Sequence, residues 1–207
     1  MANYCSSCFA LSGRNKKETL QIYFMLYGLD EIDIWKFLNE ELKIPAEKIE
    51  KTDGRTSVEA LGLDIGKKSK KSYVMISTES AWGPCFDFIN LIKDKCEKNL
   101  GMGDNEEIDV VYIAEEPGTE LYINTDTERD IFTDEIVIEY GYDNEYYTKE
   151  DFHLAQEFIV KKTGIVVEDL EDLTEEKINE IVKTYAEIHD EDEDGGSDYL
   201  TIHRFTA

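Results

Sequence analysis

The chain has 207 residues with 22 Lys/Arg against 47 Asp/Glu, a net charge of −25, and 41% of it is hydrophobic and 11% aromatic. That apolar share excludes a disordered acidic chain, and no run approaches the ~20 apolar residues of a membrane span. So anionic a protein is not expected to bind nucleic acid or anionic membranes directly. Four Cys do not make a disulfide scaffold, and the opening Met1–Cys8 lacks the basic and apolar regions of a signal peptide, so a reducing cytosol is the expected compartment.

The charge is one-sided. Residues 1–103 hold fifteen Lys/Arg and fifteen Asp/Glu, whereas residues 104–207 hold seven against thirty-two. A folded half with that imbalance repels itself, which points to a use for the charge, most simply a cationic partner.

Tyr4 to Ser12 alternates as a buried strand, with Cys8, Ala10 and Ser12 on one side and Phe9 and Leu11 on the other, closed by Gly13. Asn15-Lys16-Lys17-Glu18 is a capping box opening a helix with Leu20, Tyr23, Phe24 and Tyr27 on one face, ended by Gly28. Asp30 is the expected cap of a second helix carrying Ile34, Leu38 and Leu42, which stops before Pro45. Ser57–Ile65 and Ser72–Thr78 form a hairpin pattern around the basic turn 66–71. After Pro84, the residues Phe86, Ile89, Leu91, Ile92 and Cys96 have helical spacing. Ile108–Ala114 and Glu120–Asn124 read as strands around Pro117-Gly118.

Strand, helices, strand, strand, helix, strand is the order of a split β-α-β sandwich. The fold class expected is α/β in the α+β sense: a ferredoxin-like antiparallel sheet with helices on one face over residues 1–124. An acidic α+β extension over residues 125–207 is expected to pack on it. In the extension, Ile136–Tyr140 reads as a strand. Thr148 and Asp151 form a capping pattern before Phe152, Ala155, Phe158 and Ile159. Thr174 opens a helix with Ile178, Ile181, Val182, Tyr185 and Ile188, and Tyr199–Phe205 alternates as a closing strand.

Three short motifs occur in order: Asn3-Tyr4-Cys5-Ser6 running to Ser12-Gly13, then Thr78-Glu79-Ser80-Ala81-Trp82-Gly83-Pro84, then Glu115-Glu116-Pro117-Gly118. With them, residues ~2–124 resemble the YubB-like ferredoxin-fold family of plasmid and phage proteins. The departures are Tyr4 where Trp is usual, Gly83 where Ser is usual, and the lack of a Trp-Gly-Thr-Lys-Trp-like segment ahead of the hairpin. The resemblance implies a fold and a mobile-element origin, and it implies no reaction.

Candidate chemistry is sparse. Cys5-Ser6-Ser7-Cys8 is a Cys-x-x-Cys, and Cys85 and Cys96 are the remaining thiols. Eleven residues on one helix span about 16 Å, so a single zinc ion with Zn–S bonds of about 2.3 Å does not take both; small buried hydrophobes are the alternative. Asp190, Asp192, Asp194 and Gly195 occupy positions one, three, five and six of an EF-hand-like calcium loop. Ser197 and Thr201 replace the aliphatic and bidentate positions, so a solvated acidic turn is the alternative to calcium. No other cofactor is expected. His153, His189 and His203 are scattered, and no P-loop, His-Glu-x-x-His or dinucleotide turn is present, which favours a non-enzymatic role.

In the acidic half carboxylates recur beside tyrosines. The partner-binding residues expected are Glu139, Tyr142, Asp143, Glu145, Tyr146, Tyr147, Glu168, Asp169, Glu171 and Asp172. Closely spaced carboxylates suit a groove that grips DNA with Arg and Lys, and tyrosines stack on guanidinium planes. The function expected is a phage- or plasmid-type, anti-CRISPR-like anti-defence inhibitor. By nucleic-acid mimicry it would block the basic nucleic-acid-binding cleft of a host defence nuclease or related protein, with the ferredoxin-like half as a rigid platform or homodimer surface. The alternatives are an adaptor that binds along a sheet edge, or a small-ligand or nucleotide-binding protein using a pocket between Trp82, Pro84, Glu115, Glu116 and Gly118.

Overall fold

The computed structural model describes residues 4–50, 56–66, 71–141, 143–167, 170, 173–189 and 199–206. The chain is α+β and divides into two compact units, residues 1–132 with 206–207, and residues 133–205. Among the described residues no helix is long and apolar enough to cross a membrane.

The first unit is built on a five-stranded sheet in the order β2-β3-β1-β4-β5, with every pairing antiparallel. The strands are β1 (Tyr4–Ser12), β2 (Ser57–Ile65), β3 (Ser72–Ala81), β4 (Asp109–Glu116) and β5 (Leu121–Asn124). Helix α1 (Lys16–Leu26) opens where expected, with Glu18 N–H donating to Asn15 Oδ1 at 3.1 Å. Its buried stripe is Thr19, Ile22 and Leu26, so the helix is rotated from the sequence expectation, and Phe24 and Tyr27 stand in solvent at 69% and 63% exposure. The reason is spacing: Ile22 and Leu26 lie four apart and share a face, which leaves Phe24 on the far side.

The second helical stretch is capped by Asp33, not Asp30: Lys36 N–H donates to Asp33 Oδ1 at 2.9 Å. Asp30 instead accepts the Leu61 N–H at 3.0 Å. From there α2 (Ile34–Lys36) runs into a π-helical turn, Phe37–Glu41, and α3 (Ala46–Ile49) follows Pro45. The long helix α4 (Phe86–Leu100) ends on Gly101 in the left-handed region at φ +66°, a conformation that favours glycine.

Both faces of the sheet are covered. Phe9, Leu11, Val74 and Ile76 pack with Ile22 and Leu26 of α1 and Phe88, Ile89, Ile92 and Cys96 of α4. On the other face Ala10 and Tyr73 meet Phe132, with Cys8, Met75, Val111, Ile113 and Ile131 beside them. The segment 125–132 therefore acts as a strap across the second face. Asp126, 5% exposed, ties it: its Oδ2 accepts the N–H groups of Ile131 at 2.6 Å and Phe132 at 3.0 Å. The compact first unit thus includes the strap beyond the residue-124 division drawn from the sequence.

The second unit has a three-stranded sheet, β7-β6-β8, with β6 (Glu135–Tyr140), β7 (Asp143–Thr148) and β8 (Leu200–Arg204), and helices α5 (Phe152–Thr163) and α6 (Glu175–His189). Its core joins Ile136, Ile138, Tyr147, Phe152, Ala155, Ile159, Ile181, Tyr185, Leu200 and Ile202. Strand β7 went unseen in the sequence because its carboxylates and tyrosines masked a hairpin that turns at Gly141, φ +62°.

Candidate functional site

One end of the first unit's sheet is polar and buried. Antiparallel register puts facing residues on the same side of a sheet. On the helix-covered face, the rows across β3, β1 and β4 read Val74–Leu11–Val110, then Ile76–Phe9–Tyr112, then Thr78–Ser7–Ala114. The next row pairs Ser80 with Cys5 and, one step past the Ser6–Glu115 pair, meets Glu116. Within four rows the surface changes from aliphatic to polar, yet it stays covered: Cys5 0%, Ser7 5%, Thr78 2%, Ser80 2% and Glu116 1% exposed.

The N-terminal end of α4 reaches this patch. Cys85, the N-cap residue, makes no side-chain cap bond; its Sγ donates instead to Thr78 Oγ1 at 3.3 Å. Cys5 Sγ and Ser7 Oγ share a hydrogen bond at 3.4 Å. Ser80 Oγ donates to the Gly83 carbonyl at 2.6 Å and closes the turn that leaves β3. These are short internal bonds among small side chains. Glu116 is the exception, because its Oε1 has no hydrogen-bond partner.

Beside the patch lies a cavity of about 390 Å3 lined by Thr56 and by residues 80 to 88. Ser80 and Cys85 belong to both the cavity wall and the polar patch. At its rim Trp82 is 60% exposed and adopts φ +68°, a conformation that costs an L-residue about 1–2 kcal/mol. Such strain persists where surroundings over-determine it and clusters at functional sites. Phe86 packs edge-on against Tyr112, with centroids 5.1 Å apart, and keeps part of its ring in solvent.

Burial disfavours the thiolate form of the thiols here. Burial pushes Cys85 up to about 11 and Cys96 up to about 12. Burial also raises Cys5, with the Ser7 hydrogen bond opposing it and the charges of Glu116 and Glu115 adding to it. A raised thiol pKa lowers the thiolate fraction that attacks or binds metal. Among the described residues no group of three or more His, Cys, Asp or Glu is placed to hold a metal ion.

Of the pocket residues expected from the sequence, Trp82 and Pro84 line the cavity. Glu115, Glu116 and Gly118 do not; they stand at the same end of the sheet, on the far side of β1, where Pro117–Thr119 forms a 3-10 turn. The missed residues are Cys5, Ser7, Thr78, Ser80 and Cys85. Their signal was the pairing of small polar residues two apart on two strands, which gains meaning only once the register is known.

The acidic second unit divides its expected residues. Tyr147 is 8% exposed, lies in the core and donates its hydroxyl to Glu145 Oε2 at 3.3 Å. Burial, followed by the Glu145 charge, pushes it up to about 12. A residue so placed is not a surface anchor, because its period-2 position in β7 points inward. Glu139 is half-buried and accepts from Thr201 Oγ1 at 2.8 Å. Glu145 and Tyr146 are exposed, and Asp143 opens β7 opposite Tyr140. Tyr142, Glu168, Asp169, Glu171 and Asp172, and the calcium-loop residues Asp190, Asp192 and Asp194, lie outside the described residues.

Both units carry surface ion pairs, Lys183 with Glu187 in the second among them. In the first, Arg14 pairs with Glu18 and Glu106, Lys71 with Asp109 and Glu128, and Lys93 with Glu97 and Glu107. These pairs hold Glu18 and Glu107 below the usual carboxylate range, chiefly through hydrogen bonds from Arg14 and Lys93 respectively. In the second, Glu150, Glu157, Glu175, Glu176 and Glu180 are exposed and form no ion pair among the described residues. No family model matches the chain, and no curated protein or solved structure proves similar to it.

Proposed function

We propose that the chain is a non-enzymatic, cytoplasmic inhibitor whose acidic second unit occupies the basic nucleic-acid-binding cleft of a host defence nuclease or a related protein. One observation carries the proposal. Glu150, Glu157, Glu175, Glu176 and Glu180 of the second unit are exposed with no Lys or Arg partner among the described residues, in a half of the chain that holds seven Lys/Arg against thirty-two Asp/Glu. Unpaired surface charge raises the cost of the folded state by self-repulsion. A cationic cleft relieves that cost on binding and steers the encounter. The resemblance of residues ~2–124 to plasmid and phage proteins supplies the mobile-element setting in which such an inhibitor is useful.

The experiment is capture of partners from a bacterial lysate on the immobilised full chain at low salt, eluted by a salt gradient and by DNA in separate arms. The expected result is a nucleic-acid-binding protein that salt releases and DNA competes away. Retention of only salt-insensitive partners, or of none, overturns the proposal.

A further inference from the structure

A helix that serves one core carries one apolar stripe; α1 carries two. Its core stripe is Thr19, Ile22 and Leu26. Phe24 lies two residues from both Ile22 and Leu26, about 200° around the helix from each, so it points away from the core. Leu20, Phe24 and Tyr27 recur at spacings of four and three, the pattern with which one helix lies along another. Phe24 and Tyr27 stand in solvent, and Tyr23 packs edge-on against both, with centroids 5.8 Å and 6.1 Å away. Just beyond the helix, Ile32 is 46% exposed. Single exposed apolar residues are ordinary, whereas a joined aromatic patch marks a contact surface. The charges at its ends say what it fits. Lys16 and Lys17 open α1, and Glu31 and Asp33 follow its C-terminal end. Lys16, Lys17 and Glu31 are exposed and form no ion pair among the described residues. An antiparallel helix seated here needs acid beside Lys17 and base beside Glu31, which is the order α1 itself carries. Residues 1–103 also balance fifteen Lys/Arg with fifteen Asp/Glu, so two copies of an anionic chain meet here through its charge-balanced part.

We propose that α1 pairs with α1 of a second copy, antiparallel and crossing at Phe24, to form a homodimer. The interface is isologous, so each contact occurs twice. Phe24 meets Phe24 of the second copy at the two-fold axis, and Leu20 lies against Tyr27 of the second copy. Lys17 and Glu31 are each seven residues from Phe24, so the same axis sets Lys17 of one copy beside Glu31 of the other. An aromatic side chain buries about 150–250 Å2. The four rings of Phe24 and Tyr27 in two copies therefore fall short of the roughly 1,200 Å2 of a standard interface, and the dimer is weak and reversible. The surface belongs to the first unit and needs none of the carboxylates assigned to the acidic cleft contact.

Sedimentation velocity of the full chain at physiological salt, from about 1 µM to about 500 µM, tests the pairing. The expected result is a reversible monomer–dimer equilibrium in the micromolar range. Phe24→Ala/Tyr27→Ala is expected to weaken it at least tenfold while leaving the urea transition unchanged, since both rings stand outside the core. Lys17→Glu, which sets acid beside Glu31 of the second copy, is expected to weaken it at least fivefold. The swap Lys17→Glu/Glu31→Lys restores both pairs and is expected to return to within twofold of the parent. Lys17→Glu/Glu47→Lys has the same net charge without the pair and is expected to stay weak. A chain that is monomeric throughout overturns the proposal, as does a dimer that survives Phe24→Ala/Tyr27→Ala. Failure of the swap to restore affinity, or equal recovery with Glu47→Lys, overturns the antiparallel pairing. If the parent is monomeric but Phe24→Ala/Tyr27→Ala loses a protein that the parent retains from lysate, the face belongs to that protein and self-pairing is overturned.

Discussion

Replacing Glu116 by Gln is expected to make the protein more stable, which is unusual for a change at a buried polar residue. Glu116 is 1% exposed, and Oε1 meets no donor. An unsatisfied buried polar group costs about 1–3 kcal/mol, more when charged. Gln keeps the length and shape, carries no formal charge, and adds an amide donor beside its acceptor. Allowing for imperfect geometry, the gain expected is about 1–2 kcal/mol. Both tryptophans, Trp35 and Trp82, belong to the first unit, so tryptophan fluorescence during urea unfolding reports on that unit alone. With a slope of about 2 kcal/mol/M, the midpoint should rise by about 0.5–1 M at unchanged slope. A lowered midpoint would show that native partners hold the carboxylate, and an unchanged one would show that water already satisfies it. Either result refutes the reasoning that Oε1 is left unsatisfied in the folded protein.

Two further outcomes follow from the first unit. Asp126→Ala removes the acceptor of the Ile131 and Phe132 N–H groups and should destabilise the tryptophan-reported transition by about 2–4 kcal/mol; a loss below about 0.5 kcal/mol would mean the strap is not held there. Cys85 and Cys96 have folded values of about 11 and about 12, raised by burial, against about 8.5 unfolded. Above about pH 8.5 the unfolded chain gives up these protons first, so stability falls as pH rises towards the folded values. A urea midpoint that does not drop between about pH 8 and about pH 10 contradicts this, as would rapid reaction of all four thiols with Ellman's reagent in the native protein at neutral pH.

Much of the first unit was legible because its signals are local. Asn15 and Glu18 mark the start of α1, and the alternation of Tyr4 to Ser12 marks β1. The order of elements up to Asn124 agrees with the strand order of the sheet. Errors arose where two local rules competed. Phe24 and Tyr27 look like core residues by type, but Ile22 and Leu26 have the spacing that wins the face. Asp30 and Asp33 are equally good caps, and the backbone N–H of Leu61, thirty-one residues on, claimed Asp30. The alternating acids and tyrosines of β7 read as surface until pairing with β6 put Tyr147 inside. The polar patch was illegible for a deeper reason. Cys5, Ser80 and Glu116 are scattered over more than a hundred residues, and only strand register brings them into one row.

The central claim concerns the acidic surface of the second unit, and its most direct measurement is the salt dependence of affinity for the captured partner. The full chain would be compared with the variant Glu157→Gln/Glu175→Gln/Glu176→Gln/Glu180→Gln, which leaves the buried stripe Ala155, Ile159, Ile181 and Tyr185 untouched. If the unpaired carboxylates are the contact, affinity falls steeply between about 50 and about 300 mM salt, because exposed charges are screened within about 10 Å or less. The variant then binds at least tenfold more weakly at low salt, with a shallower slope. Equal affinity and equal slope for the two proteins would contradict the account.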